Sequence, residues 1–148
     1  MNYIYSDQKL RFKKEHGNIL ILPIKDFSDM YEFDGDSCDV SGFKFDVYTG
    51  SSFALIKNIY RRKYYGAIYH VTTEYSEFTI LPSCKIEIAG NRVEKMNKLK
   101  SGDIIMGNRF WRTKIISIDK FYNDKDYVYG IEVQGCHYSC GCIIHDEE

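Results

Sequence analysis

From Gly42 onward the chain is a series of short apolar runs cut by turn signals, and no segment with a 3.6-residue period reaches ordinary helix length. Phe43, Phe45 and Val47 alternate with polar residues, residues 49–52 break the pattern, and residues 53–60 resume it. Residues 66–73, 78–81 and 84–88 form three further runs. Ala89, Gly90, Asn91 and Arg92 then read as a hairpin turn, because Gly and Asn accept positive φ at low cost. Runs of this length, with turns about every eight to twelve residues, predict a mainly β domain in the form of a sandwich or partly closed barrel. Only residues 93–100 suggest helix, and no more than a single turn of it.

Composition agrees with strands. Thirteen Tyr and nine Phe among 148 residues, together with many Ile and Val, suit a pleated and half-buried surface. A hydrophobic fraction of 44% and a charged fraction of 28% argue against disorder, and no apolar stretch is long enough to predict a membrane helix. The formal net charge of -1 supplies no field that would gather nucleic acid. Neither nucleic acid nor a membrane is therefore expected as a partner. The first residues lack the charged and apolar regions of a signal peptide, which predicts synthesis in the cytoplasm. Five cysteines, an odd number bunched toward the C-terminus, predict reduced thiols over a disulfide framework.

Residues 1–41 differ in character from the rest of the chain. A basic run at 9–14, one apolar strand at 18–24 and an acidic stretch at 26–39 predict an N-terminal extension with one strand, ahead of a β domain over 42–148. Pro23 lacks the backbone N–H a sheet interior needs, so the strand ends there or lies at an edge.

Reactive side chains gather in residues 136–145. Cys136, Cys140, Cys142 and His145 offer enough soft ligands for tetrahedral zinc, although a second, distant ligand pair would have to come from Cys84 or His70. No cofactor is the primary expectation, with buried or half-buried thiols in place of a metal site. Elsewhere, Tyr60, Tyr64, Tyr65 and Tyr69 set four rings beside Arg61 and Arg62, and that aromatic and Arg mixture is the composition of protein interfaces.

Taken in order, three segments resemble the Hint family of hedgehog autoprocessing domains and inteins. Residues 69–73 and 78–88 are similar to the strand pair that carries the family's Thr-x-x-His block. Residues 93–105, with Leu99, Gly102 and Asp103 between apolar runs, are similar to its Leu-x-x-Gly-Asp segment. Residues 127–133, His137, Gly141 and Ile143-Ile144-His145-Asp146 resemble its last two blocks, which end in His-Asn. The resemblance spans residues 66–146 and implies a compact Hint-like β fold with self-cleaving or splicing activity.

Departures from the pattern bear on that activity. The family's nucleophile is a Cys or Ser at the first position of the domain, and only Cys38, or less well Ser51 or Ser52, offers one here. Ser83 and Cys84 stand where the block histidine is expected. Asp146 replaces the terminal Asn that cyclises. Because such groups act as a unit, the primary expectation is a non-catalytic assembly subunit, a component of a phage or viral particle whose partners are other protein subunits. An autoprocessing domain using Cys38, His137, His145 and Asp146 is the second reading, and a zinc-stabilised binding module the third.

Overall fold

The computed structural model describes residues 2–135 and 137–145. Fifteen strands run in chain order: β1 (Ile4–Tyr5), β2 (Lys9–Lys14), β3 (Ile19–Pro23), β4 (Ser37–Asp39), β5 (Phe45–Tyr48), β6 (Phe53–Lys63), β7 (Gly66–Thr73), β8 (Glu77–Ile80), β9 (Lys85–Ile88), β10 (Arg92–Lys95), β11 (Ile104–Met106), β12 (Arg112–Asn123), β13 (Tyr127–Val133), β14 (His137–Ser139) and β15 (Ile143–His145). One short helix, α1 (Ile24–Ser28), follows β3. The architecture is mainly β, as the punctuation of the sequence predicts. Every ladder among the described residues is antiparallel.

Two long strands carry the chain across the molecule. β6 pairs with β5 through residues 53–55 and with β4 and β13 through its later residues. β12 pairs with β11 at its start and with β7 over the rest, with a register shift between Ile115 and Ser117. An extra residue in one strand of an antiparallel pair bends it and strengthens its twist. β12 can thereby leave one ladder and enter the next without losing its hydrogen bonds.

Residues 1–41, expected as an extension with one strand, contribute four strands to this arrangement. β1 lies between β8 and β13, and β2 joins β3 to β5. The side chains of Ile4, Leu10, Phe12, Ile24, Phe27 and Val40 are buried in the same core as Ile56, Ile59, Val71, Ile86, Ile105 and Ile131. Phe12 and Phe27 stack with ring centroids 3.9 Å apart. Alternation explains why these strands were hard to read: in β2 only Leu10 and Phe12 face inward, between lysines and an arginine that face out. β3 is an edge strand paired only with β2, and Pro23 stands at its last position, where a missing N–H is harmless.

The opposite face of the central sheet has a smaller apolar cluster. Ile68, Leu81 and Val128 are buried there under Tyr3, Tyr5 and Tyr64. Side chains alternate across a strand, so Ile4 and Tyr129 enter the main core while Tyr3, Tyr5 and Val128 cover the other side.

Candidate functional site

The first described residue meets the last described strand. Asn2 is only 6% exposed, and its amide bridges two backbone groups far away in sequence. Its Oδ1 accepts a hydrogen bond from the N–H of Lys85 at 3.0 Å, and its Nδ2 donates to the carbonyl oxygen of His145. β1 places Asn2, β9 places Lys85, and the Ile144–Ile86 pairing of β15 with β9 places His145 between them. The two ends of the described chain thus meet at the backbone of His145.

His145 is itself held. Its Nε2 lies 3.2 Å from Oε1 of Glu87, and both side chains are largely buried. A carboxylate on one ring nitrogen fixes the orientation of an imidazole. His137 pairs with His145 across the β14–β15 hairpin, with ring centroids 6.0 Å apart. The Nδ1 of His137 donates to the carbonyl of Gly135 at 3.1 Å, and the edge of Phe110 closes its other side at 5.9 Å between centroids. The structure brings both predicted histidines into one site.

Three thiols lie behind this site. Cys84 stands just before β9 and is fully buried, its N–H donating to Leu81 and its carbonyl accepting from Met96. Burial, and then the nearby Cys140, push its thiol well above the usual range. Cys142 is raised in the same way, by burial first and then by Cys140 and Cys84. The sulfurs of Cys140 and Cys142 are 3.9 Å apart. Of the zinc set, Cys136 falls outside the described residues and His145 turns to Glu87. Among the described residues no group of three or more His, Cys, Asp or Glu side chains is placed to hold a metal ion.

The other candidates lie elsewhere. Cys38 sits on β4, opposite Ile59, and its thiol is raised by burial and by Asp39. Asp146 lies outside the described residues. The Tyr and Arg residues expected as an interface turn mostly onto the protein's own rings. Arg61 lies over Phe33 and Tyr127 at 4.2 and 4.8 Å, and Arg62 over Tyr3 and Tyr64 at 4.6 and 5.8 Å. Tyr64 donates to the carbonyl of Ala67, Tyr69 lies under the ammonium of Lys120, and Tyr60 is half-buried on β6. Tyr65 and Arg62 are exposed, Tyr65 at 64%. His70, read as a face residue, bonds Thr79 through Nδ1 at 2.8 Å.

Sequence reasoning missed Asn2 and Glu87. Nothing local marks Asn2, because its partners are backbone groups 83 and 143 positions away. Glu87 reads only as a polar residue in an alternating strand, and the register of β9 against β15 gives it a role.

No protein-family model matches the sequence, and no curated protein matches it. Solved structures do match over almost the whole chain. An intein from a hyperthermophile superposes with a TM-score of 0.80 at 11% identity, covering 98% of this chain and 99% of that one. The transcription factor IIB Mvu mini-intein gives 0.78 at 16% identity with the same coverage of each chain. A bacterial intein-like domain from Clostridium thermocellum gives 0.65 at 13% identity, covering 98% and 99%. The match includes residues 1–41 together with the rest, and the fold of this chain is the Hint fold of inteins.

Proposed function

We propose that this chain is an autoprocessing domain whose chemistry acts at its C-terminal junction, the peptide bond between Asp146 and Glu147. One observation carries the reading: the Asn2 amide ties the start of the chain and β9 to the carbonyl of His145, the residue just before Asp146. A domain that processes a junction needs that junction held beside a proton donor, and His145 with Glu87 supplies one. The full-length likeness to inteins favours this reading over that of a particle subunit.

The chemistry follows from the residue types. The side-chain carboxylate of Asp146 attacks its own main-chain carbonyl carbon and closes a five-membered cyclic anhydride. The C–N bond to Glu147 breaks, and the departing nitrogen takes a proton from the His145 imidazolium. Water then opens the anhydride and restores Asp146 as a free C-terminus. A positioned general acid contributes about 10²–10⁴-fold to such a step. Cys84, at the position expected for the block histidine, is a buried thiol raised well above the usual range.

The test is a folded reporter fused after Glu148, with its release read by intact mass. Slow release is expected, with the break between Asp146 and Glu147. Asp146→Asn, which permits the faster attack of an amide nitrogen, raises the rate. Asp146→Ala and His145→Ala lower it by at least about tenfold. A reporter that stays attached in both the parent and the Asp146→Asn protein, or a break at another bond, overturns the proposal.

A further inference from the structure

The turn between β14 and β15 holds two thiols that the junction chemistry does not use. The sulfurs of Cys140 and Cys142 are 3.9 Å apart, and the intervening Gly141 takes φ +113°, so the backbone folds back between them. The Cys140 N–H donates to the Cys142 carbonyl at 3.2 Å. Gly141 is pinned by its N–H to Ser139 Oγ and by its carbonyl, which accepts from Ser76 Oγ at 3.1 Å. A disulfide needs the sulfurs at about 2.05 Å, a closure of roughly 2 Å from their separation here.

The two thiols differ in access. Cys142 is fully buried, whereas Cys140 is half-buried and lines a surface cleft of about 280 Å³. Lys9 and Arg11 stand in the wall of that cleft, with Tyr48 and Tyr75, and Glu77 is the carboxylate that lines it. Two cations in the wall of the cleft attract an anionic reagent toward the accessible thiol. One sulfur is therefore placed to meet a reagent from solution, and the other to finish the exchange inside.

We propose that Cys140 and Cys142 form a reversible dithiol–disulfide site whose reaction partner is a small anionic disulfide of the glutathione type. The Cys140 thiolate attacks one sulfur of the reagent, forming a mixed disulfide and expelling one thiolate, which takes up the proton Cys140 gave. Cys142 then loses its proton and attacks the Cys140 sulfur, expelling the second thiol. In balance, the two cysteines lose two hydrogens and the reagent becomes two thiols. Cys140 is the attacking residue and Cys142 the resolving one. The site is chemically separate from junction cleavage, which uses His145, Glu87 and Asp146 and neither sulfur.

The test is to equilibrate the reduced protein with oxidised and reduced glutathione, quench in acid, and read intact mass and a peptide map. The expected product is lighter by two hydrogens, with the bond mapped between Cys140 and Cys142. Cys142→Ser is expected to stop at a glutathione adduct on Cys140. Cys140→Ser is expected to react at least tenfold more slowly. A parent protein that remains fully reduced, that stops at a stable adduct, or whose bond maps to Cys84 or Cys136 overturns the proposal. The parent's map decides even where a serine variant fails to fold.

Discussion

At Asn2 a single buried side chain closes the molecule on itself, and its removal has a calculable consequence. Asn2→Ala leaves the Lys85 N–H and the His145 carbonyl without their partner in a site that is almost dry. Each unsatisfied buried group costs about 1–3 kcal/mol. A loss of at least about 2 kcal/mol in urea unfolding is expected, together with slower junction cleavage. A variant as stable as the parent would remove Asn2 from the site. Tyr31 offers the opposite case. Its hydroxyl is buried with no hydrogen-bond partner among the described residues, while its ring packs edge-on against Phe27 and Phe43. Tyr31→Phe keeps both ring contacts and removes an unpaired polar atom, so stability at pH 7 is expected to hold or to rise by up to about 1 kcal/mol. Neither effect is visible in the sequence. An amide at position 2 and a tyrosine in an acidic stretch look ordinary until the fold supplies, or withholds, their partners.

The β14–β15 hairpin is the element on which both proposals rest, and its geometry hangs on Gly141. At φ +113° a side chain is strained, and an added Cβ would sit 3.0 Å from the Cβ and Oγ of Ser76. Gly141→Ala is expected to destabilise by about 1–3 kcal/mol, and a thermal melt unchanged from the parent would contradict the turn as described. How far such elements can be read from sequence depends on what defines them. Strand existence was legible from β-branched and aromatic runs between Gly, Asn and Asp, and the β9–β10 turn appears where expected, with Gly90 and Asn91 at positive φ. Pairing was not legible, because a strand's partner is set by packing far away in sequence. Arg61 and Arg62 show the consequence: beside four tyrosines they read as an interface, and the fold also brings Tyr127 and Tyr3, far away in sequence, beneath their guanidinium groups. His137 and His145 were legible as a pair because a hairpin of a few residues sets them opposite each other.

For the molecule as a whole, the boundary expected at residues 41 and 42 has no counterpart in the packing. Phe12 and Phe27 stack within the core that holds Ile59 and Ile131, so the first forty residues and the rest share one apolar interior. Phe27→Ala is expected to cost about 3–5 kcal/mol and to lower a single unfolding transition, where separate units would show two. The same shared interior makes the fold sensitive to base. Burial raises the hydroxyls of Tyr31 and Tyr129 to about 12, the latter aided by Asp29 and opposed by Arg61, and burial raises the thiols of Cys84 and Cys142 as well. All four groups are neutral when protonated, and the folded state favours that form. Their contribution is complete below the unfolded values, near 8.5 for Cys and 10 for Tyr. It is lost as pH rises toward the folded values, because the unfolded chain releases its protons first. The melting temperature is therefore expected to be level from about pH 7 to 8.5 and to fall between about pH 9 and 12. Tyr129→Phe removes one of the titrating hydroxyls, so the upper part of that fall becomes shallower. A melting temperature that stays level through this range, or a Tyr129→Phe curve parallel to the parent's, would mean that the buried hydroxyls and thiols do not couple ionisation to folding.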